Sequence, residues 1–261
     1  MNTKKEPGVL VPAALQPWVS DIRVGAVGDD QQVLTRMPDA ATALVFRTTA
    51  AQHSDLVVVG PCTHASYHAG KDVPFFVKVR IRPGRARALL GLSVHEIVDH
   101  AVPLSDFWGE PGDRLARELA DIGSDPLRVL KTIEDALLAH LSAQTSRELS
   151  RSDLVHGATK GLSIRANRQP DGVRALARRL SISERHLRNL FTGAVGVSPK
   201  RFARIDRVRT VLARAHHEHW AQLATEAGYY DQSHMSAEFR EIMGVPPGAF
   251  VAGRVPAAGP C

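Results

Sequence analysis

Two segments in the last third of the chain follow the same pattern. Residues 176–202 read LARRLSISERHLRNLFTGAVGVSPKRF, and residues 223–250 read LATEAGYYDQSHMSAEFREIMGVPPGAF. Aligned, Leu-Ala matches Leu-Ala, His-Leu matches His-Met, and Gly-Val-Ser-Pro matches Gly-Val-Pro-Pro. The residue numbers of the two copies differ by 47 at the first match and by 48 at the others. The second copy therefore has one extra residue between its two halves. A repeat of this kind indicates a duplicated supersecondary unit.

Each copy has the pattern of two short helices joined by a turn. In the first copy, the first helix has apolar residues at the spacing i, i+3, i+4, i+7: Val173, Leu176, Ala177 and Leu180. Ser183 is a natural N-cap for the second helix, which we expect to end near Gly196. Its predicted buried stripe consists of Leu187, Leu190 and Phe191.

The second copy repeats this plan. Its first helix has the stripe Trp220, Leu223, Ala224 and Ala227. Gly228 permits a tight turn, and Asp231 is positioned to cap the second helix. The inward residues of that helix are Met235, Phe239 and Ile242. Two helices joined by a short turn form the layout in which the second helix enters the major groove of DNA.

The residues that face away from the predicted cores are candidates for contact with base edges. On the first recognition helix these are Arg185, Arg188 and Asn189. Arginine can donate two hydrogen bonds to guanine, and asparagine can pair with adenine. On the second helix the corresponding set is Gln232, Ser233 and Ser236, with Ala237 beside it. Because the second set is shorter and uncharged, we expect the first unit to discriminate more strongly between sequences.

A longer helix is predicted between the two units. Ser198 and Pro199 form an N-cap followed by proline at the first helical position, and the apolar spacing continues to about Ala215. At ~1.5 Å per residue this connector is about 25 Å long, on the scale of one DNA turn. The candidates for phosphate contact are Ser183, Lys200, Arg201, Arg204 and Arg240. Arg207 is a further candidate for phosphate contact, although Arg207 and Arg209 could equally pair with Asp206 or simply be solvated.

Charge is distributed unevenly along the chain. Residues 160–261 contain 16 Lys and Arg against 8 Asp and Glu, whereas residues 1–159 contain 17 against 19. A basic segment joined to a slightly acidic one suggests that the C-terminal part binds a polyanion. Solvated basic faces are the alternative interpretation of this excess.

The paired motifs closely resemble the AraC/XylS family of bacterial transcription regulators. The resemblance covers about residues 151–253 and includes Leu-Ala-x-x-Leu-x-Ile-Ser-x-x-His-Leu and Asp-Gln-Ser-His-Met-Ser-x-x-Phe. It implies a double helix-turn-helix fold and gives the base-facing roles to the same six residues named above. Ala237 departs from the family pattern, because many members have a basic residue there.

The first part of the chain has the pattern of a β-rich domain followed by helices. Strands are predicted at 32–36, 42–47, 55–60 and 74–81. Helices are predicted at 85–92, 94–100, 113–122 and 127–141. The segment from Val79 to Gly84, with Leu89 to Gly91 after it, resembles the small cupin-like sensing domains that precede this kind of DNA-binding unit. The predicted fold class is α+β: a cupin-like domain at 1–145, then an all-α domain of two helix-turn-helix units and a linker helix at 146–261.

Other functions are less well supported by the sequence. A metal-dependent cupin-type enzyme or a Cys62 redox sensor is the alternative, since His64 and His68 lie four residues apart. However, no second histidine–carboxylate group accompanies them, Cys62 has no evident base, and no phosphate loop or nucleophile elbow is present. We therefore expect no enzymatic activity, no metal and no cofactor. Cys62 and Cys261 are too far apart to suggest a disulfide framework.

The expected partners follow from this interpretation. Double-stranded DNA of a promoter or operator is the principal one. A small-molecule effector or a second copy of the chain is expected to bind the N-terminal domain, and RNA polymerase is a further partner. The chain has no apolar run of the ~20 residues that span a bilayer, and residues 1–7 start no export signal. The expected location is the cytoplasm, in association with the nucleoid and without membrane contact.

Overall fold

The N-terminal part of the chain forms two antiparallel β-sheets. The computed structural model describes residues 8–28, 33–51, 53–70, 72–164, 170–215 and 219–259. Its strands are β1 (Gly8–Val9), β2 (Val19–Val27), β3 (Val33–Arg36), β4 (Ala43–Thr48), β5 (Ser54–Val59), β6 (Ser66–Ala69), β7 (Val73–Ile81) and β8 (Ala101–Pro103). The larger sheet has the order β1-β2-β7-β4-β5-β8, and β3 pairs with β6 in the smaller one.

Alternation of apolar side chains explains why the central strands pair as they do. Leu44 and Phe46 of β4 lie opposite Val79 and Val77 of β7, and all four are buried. Side chains two residues apart share one face of a strand, so this register places an apolar row over the core. The structure thus has strands in the four places where the sequence predicts them, although Gln32 lies outside the described residues, as do residues 1–7 and Cys261.

The β-rich domain also contains elements that the sequence analysis did not predict. The nine-residue strand β2 is the largest omission, and Asp21, Arg23 and Gly25 interrupt its apolar pattern. Residues 94–100 were predicted as a helix, and this prediction was wrong in length, because only Val94–Ile97 form a short 3-10 helix. Asp99 follows with a φ of 63°, which a continuing right-handed helix does not allow.

Helices cover one side of the larger sheet. They are α1 (Ala86–Leu90), α2 (Ser105–Trp108), α3 (Glu110–Ile122) and α4 (Pro126–Ser142). The Asp125 side chain caps α4 by accepting hydrogen bonds from the backbone N–H groups of residues 127 and 128. Val129, Ile133 and Leu137 follow at four-residue intervals and bury one face of α4 in the core of the β-rich domain.

Gly60 marks a close approach within this domain. A Cβ at residue 60 would lie 1.8 Å from the backbone oxygen of Ile97. We therefore expect Gly60→Ala to lower the free energy of unfolding by about 1–3 kcal/mol, the usual cost of overpacking. Denaturant unfolding of the full chain measures it. Gly157→Ala is the matched control, since nothing apart from its chain neighbours and the backbone of its own helix lies within 4 Å of its Cβ position. Equal stability of the two variants would contradict the prediction.

Within the described residues, the helices are the regular secondary-structure elements of the C-terminal part. Its helices are α5 (Ser146–Leu162), α6 (Val173–Arg179), α7 (Glu184–Val195), α8 (Pro199–Arg214), α9 (Trp220–Glu226), α10 (Gln232–Met243) and α11 (Pro247–Val251). A capping box between Thr145 and Glu148 starts α5. The predicted fold class is confirmed: a β-rich domain precedes a helical one with two helix-turn-helix units.

Helix α8 belongs to two hydrophobic cores. Its first half contributes Phe202 and Ile205 to the core of the first unit, which also contains Phe191. Its second half contributes Val208 and Val211 to the core of the second unit. Because one continuous helix packs into both cores, it fixes the position of each unit relative to the other. Among the described residues, no helix has both the length and the apolar composition that crossing a membrane requires.

Candidate nucleic-acid interface

The two helix-turn-helix units have the same local construction. Helices α7 and α10 each have 12 residues, and each is capped by a side chain that accepts a hydrogen bond from a backbone N–H three residues later. The acceptors are Ser183 and Asp231, as the sequence analysis predicted. Each helix ends at a glycine with positive φ, Gly196 at 85° and Gly244 at 75°. Glycine adopts this conformation without the steric cost that a Cβ would bring.

The turn inside each unit is also conserved between the copies. Ser181 has a φ of 54°, and the equivalent Gly228 has a φ of 73°. In each turn, the backbone N–H of the following residue donates to a carbonyl in the preceding helix, Ala177 in the first unit and Ala224 in the second. The additional residue of the second copy lies after this shared turn, before Asp231. The duplication seen in the sequence is therefore a duplication of backbone geometry.

The predicted base-facing residues of the first unit share one exposed face of α7. Leu187 and Phe191 are buried, whereas Arg185, Arg188 and Asn189 are exposed. Arg188 donates to Glu184 at 3.1 Å, four residues earlier on the helix. An exposed ion pair of this kind contributes little stability, so the arginine is available to a nucleic-acid ligand.

The predicted base-facing residues of the second unit lie on α10. Gln232 and Ser233 are exposed and Ser236 is half-buried, while the neighbouring Met235 is fully buried. Within the described part of the chain, the three polar side chains make no hydrogen bond to protein. Their donors and acceptors are thus directed at solvent or at a ligand.

An ionic network on the other side of α10 attaches this helix to α8. Glu238 is only 7% exposed and accepts hydrogen bonds from two arginines of α8. Arg204 donates at 2.8 Å, and Arg207 donates through two nitrogens at 2.9 and 2.8 Å. Arg204 also donates to Glu241, and this bond is the main cause of the raised pKa of Arg204. The guanidinium of Arg207 in addition lies 5.1 Å from the ring centroid of Tyr229.

The five predicted phosphate contacts differ in their surroundings. The side chains of Lys200 and Arg240 are exposed and form no hydrogen bond or ion pair with any described residue, and Ser183 is exposed at its cap. Arg204 is engaged by Glu238 and Glu241. Arg201 is engaged by the β-rich domain, as described next. Phosphate contact by these two arginines would require them to leave their present partners.

Two arginines of α8 reach the β-rich domain. Arg201 donates to the carbonyl of Thr63 at 3.0 Å and to Nε2 of His64 at 2.7 Å. Arg209 donates to the carbonyl of Pro38 at 3.0 Å and forms an ion pair with Asp39 at 3.1 Å. The linker helix is therefore a contact surface for the N-terminal domain as well as a spacer.

The second unit meets the same domain near the end of α10. The backbone N–H of Ala65 donates to the carbonyl of Ile242 at 2.8 Å, and the Tyr67 hydroxyl donates to the carbonyl of Met243 at 2.6 Å. These contacts bring together residues about 177 positions apart in the chain. The sequence analysis did not identify them, because backbone acceptors leave no pattern in a sequence.

The residues that suggested a metal or redox site have other partners. His64 is bonded to Arg201, and Nε2 of His68 is bonded to Ser66. Within the described ranges, no three His, Cys, Asp or Glu side chains form a group able to hold a metal ion. Burial raises the pKa of the Cys62 thiol, and this disfavours the thiolate that nucleophilic or redox chemistry requires.

Comparison with known proteins identifies two domains. A family model described as "Helix-turn-helix domain" matches residues 176–253, and one described as "Domain of unknown function (DUF6597)" matches residues 10–103. No curated protein matches the chain.

Solved structures of ToxT from Vibrio cholerae are similar over most of the chain. The O395 structure is 11% identical, covers 88% of this chain and 97% of its own, and has a TM-score of 0.41. The structure of wild-type ToxT from strain SCE256 with unsaturated fatty acid bound is 11% identical, covers 88% and 94%, and has a TM-score of 0.42. At these scores the likeness adds no weight to the functional argument.

The family match and the geometry agree on the C-terminal part. The family model of the helix-turn-helix domain matches most of both units. Each unit has a capped recognition helix with an exposed polar face. The resemblance found in the sequence is thereby confirmed. The chain carries a helix-turn-helix domain of the AraC type behind a β-rich domain of unknown function, and it is a DNA-binding transcription regulator.

Proposed function

We propose that α7 and α10 enter successive major-groove segments on one side of the same DNA duplex. The observation that carries this proposal is the shared helix α8, whose two halves belong to the cores of the two units. Its 16 residues span about 24 Å at ~1.5 Å per residue. A rigid spacer of this length suits two recognition helices about one DNA turn apart.

The roles of individual residues follow from their exposure and chemistry. Arg185 and Arg188 would donate to guanine, and Asn189 would pair with adenine. On α10, Gln232 would contact adenine, while the shorter side chains of Ser233 and Ser236 would make weaker contacts. We therefore expect sequence discrimination to be greater in the half-site bound by the first unit.

Other residues would bind phosphates and so hold the protein in register. Lys200 and Arg240 are exposed and unpaired among the described residues, and Ser183 lies at the N-terminus of α7, where backbone N–H groups favour an anion. Arg201 and Arg204 would join them only after leaving His64 and the glutamates of α10. Phosphate contacts position a protein on DNA and carry no direct sequence information.

We further propose that the N-terminal domain controls the DNA-binding domain. The boundary between residues 145 and 146 is supported by the capping box that starts α5 and by the hydrophobic core of the β-rich domain, which ends within α4. Contacts from Pro38, Asp39 and Thr63 to α8 provide a physical route for coupling. A small-molecule effector and homodimer formation are the proposed inputs, and RNA polymerase is the proposed target.

Replacing Arg188 tests the assignment of the base contacts. A preferred operator would first be selected from random duplexes, and affinities would then be measured for the operator and its single-base variants. Arg188→Ala should weaken operator binding by about 1–3 kcal/mol, roughly 5- to 150-fold, and relax the preference at one base pair.

Two matched variants make this result specific. Lys200→Ala should weaken binding to all sequences about equally, because a phosphate contact does not depend on the base. Arg114→Ala removes an exposed arginine of α3 and should leave affinity unchanged. If Arg188→Ala retains the parent's full base preference, the proposed role of α7 is wrong.

A further inference from the structure

A polar cavity lies between the β-rich domain and the helices of the DNA-binding domain. Its volume is about 230 Å³. One wall contains residues of β2 and β7 and the segment after β7, and the opposite wall contains residues of α5 and α8. The charged residues that line it are Asp39, Arg80, Arg82, Lys160, Asp206 and Arg209. The cavity has no part in the DNA contacts proposed above.

One carboxylate at the cavity serves two arginines. Asp39 receives two hydrogen bonds of 2.7 Å from Arg80 and forms an ion pair with Arg209 at 3.1 Å. Burial alone would raise the pKa of Asp39, but the hydrogen bonds and charge of Arg80 outweigh burial and hold it below the usual value. Asp39 is therefore ionised at neutral pH, and its single charge is shared between two cations.

The second carboxylate compensates the remaining charge only in part. Asp206 accepts a hydrogen bond from the backbone N–H of Ile164 at 2.8 Å. Burial nevertheless raises its pKa above the ordinary value. Burial also lowers the pKa of Arg209, so its positive charge is held at a desolvation cost. Four cations thus face two carboxylates in a partly enclosed space.

Three of the cationic groups that line this space have donors without a partner among the described residues. Among the described residues, the Arg82 side chain has one hydrogen-bond partner, the carbonyl of Gln16, to which Nε donates at 2.9 Å. Arg209 uses Nη1 for its hydrogen bond to Pro38. The side chain of Lys160 forms no hydrogen bond or ion pair with any residue that the structure describes. Arg82 comes from the β-rich domain, whereas Lys160 and Arg209 come from the helices opposite.

His156 adds an acceptor to the lining. Its Nδ1 lies 3.2 Å from the carbonyl of Pro83, and burial lowers its pKa to about 4. The neutral ring donates from Nδ1 to this carbonyl, which leaves Nε2 as a hydrogen-bond acceptor. A ligand hydroxyl would satisfy this atom.

We propose that this cavity binds a small, hydrophilic, multiply charged anion of the phosphate-ester or hydroxy-polycarboxylate class. Lys160, Arg82 and the free nitrogens of Arg209 would hold its charged groups, because an excess of positive charge in a partly enclosed cleft is offset by an anion. An anion bound to Arg82 on one side and Lys160 on the other would connect the two domains. The many charged and hydroxyl-bearing side chains of the lining suit a compact polar ligand better than an acyl chain.

Calorimetric titration of the full chain, without DNA and in phosphate-free buffer, tests binding directly. The probes are citrate, ribose 5-phosphate and inorganic phosphate, with acetate, oleate and ionic-strength-matched sodium chloride for comparison. At least one of the first three should bind saturably. Arg82→Ala combined with Lys160→Ala should reduce its affinity at least tenfold, while Arg114→Ala should leave it unchanged.

Each other outcome would overturn the proposal. These are absence of saturable binding, equal loss of affinity in the Arg114→Ala control, or tight binding of oleate alone. Thermal unfolding of the unliganded variants checks that the substitutions leave the fold intact, and Lys160→Glu offers a single exposed change that should abolish binding by charge reversal.

An effect of the anion on DNA binding rests on the proposed control by the N-terminal domain, and it is measured in a separate experiment. If the anion binds as expected, adding it at saturation should change operator affinity in the parent and not in the Arg82→Ala, Lys160→Ala variant. If the anion binds without any effect on operator affinity, the proposed coupling is wrong and the proposed anion site stands. If the protein binds its operator but none of the anions, the proposed anion site is wrong and the DNA-binding function stands.

Discussion

Replacing Glu238 by alanine should remove the half of the DNA footprint that the second unit makes and leave the other half in place. Glu238 is the shared acceptor for Arg204 and Arg207, and its loss would leave Arg207 without its carboxylate partner and Arg204 with Glu241 alone. Helix α10 would lose its most buried polar contact with α8 and keep only the more exposed contacts of Glu241. The first unit has a separate hydrophobic core, so α7 should keep its position.

The size of this effect follows from the burial of the network. Removing one partner of a fully buried ion pair costs about 3–5 kcal/mol. The side chains of Arg204 and Arg207 are 20% and 24% exposed, so water can solvate them in part. A destabilisation of about 2–3 kcal/mol for the second unit is therefore expected. Hydroxyl-radical footprinting of the full chain on its selected operator would show whether one lobe is lost.

Two further variants separate a positioning role from general destabilisation. Glu238→Gln retains the shape and an acceptor oxygen and should recover part of the second lobe. Glu226→Ala removes a more exposed carboxylate that pairs with Arg214, and it should retain both lobes. The positioning role would be excluded if Glu238→Ala retained both lobes, or if Glu226→Ala lost the same one.

The repeat explains why so much of the DNA-binding domain could be predicted. Caps, turns and apolar stripes depend on residues within about four positions of one another, and a sequence displays such relations directly. Ser183 and Asp231 are examples, since each caps the helix that starts at the next residue. The exposed face of α7 could be predicted for the same reason, because burial of Leu187 and Phe191 determines which side chains face outward.

The N-terminal domain was harder to predict, because its structure depends on distant pairing. Strand β2 has weak alternation and is stabilised by β7, about 55 residues later. In the sheet, Val19 and Ile22 of β2 are buried, and the charged side chains of β2 remain at least partly exposed. Such a strand acquires its conformation from its neighbours more than from its own residues.

The partners of the α8 arginines show the same limit within the candidate site. Arg201 meets His64, which lies 137 positions away, and Arg204 meets Glu238, 34 positions away. Arg201, Arg204 and Arg207 lie three residues apart, and this spacing allows contact with a phosphate backbone as readily as with an acidic helix. Glu238 directly precedes Phe239, whose burial the sequence predicts. This was the one available signal of a cationic partner, since carboxylates are seldom buried without one.

Salt should weaken DNA binding steeply, and the slope will show which cations contact phosphates. If the two units neutralise about six phosphates, affinity should fall about a thousandfold between 50 and 200 mM salt. Each phosphate contact contributes about 0.9 to the slope of log affinity against log salt. Fluorescence anisotropy over a salt series measures this slope for the parent and for single variants.

Lys200 and Arg201 provide an internal comparison, because they are adjacent in the sequence and differ in their surroundings. Lys200 is exposed and unpaired among the described residues, so Lys200→Ala should reduce the slope by about 1. Arg201 donates to Thr63 and His64 of the β-rich domain, so Arg201→Ala should leave the slope unchanged even if the affinity itself shifts. An equal reduction of the slope in both variants would mean that Arg201 leaves the β-rich domain when DNA binds. In that case phosphate and N-terminal domain would compete for one guanidinium, and DNA binding would itself loosen the contact between the two domains.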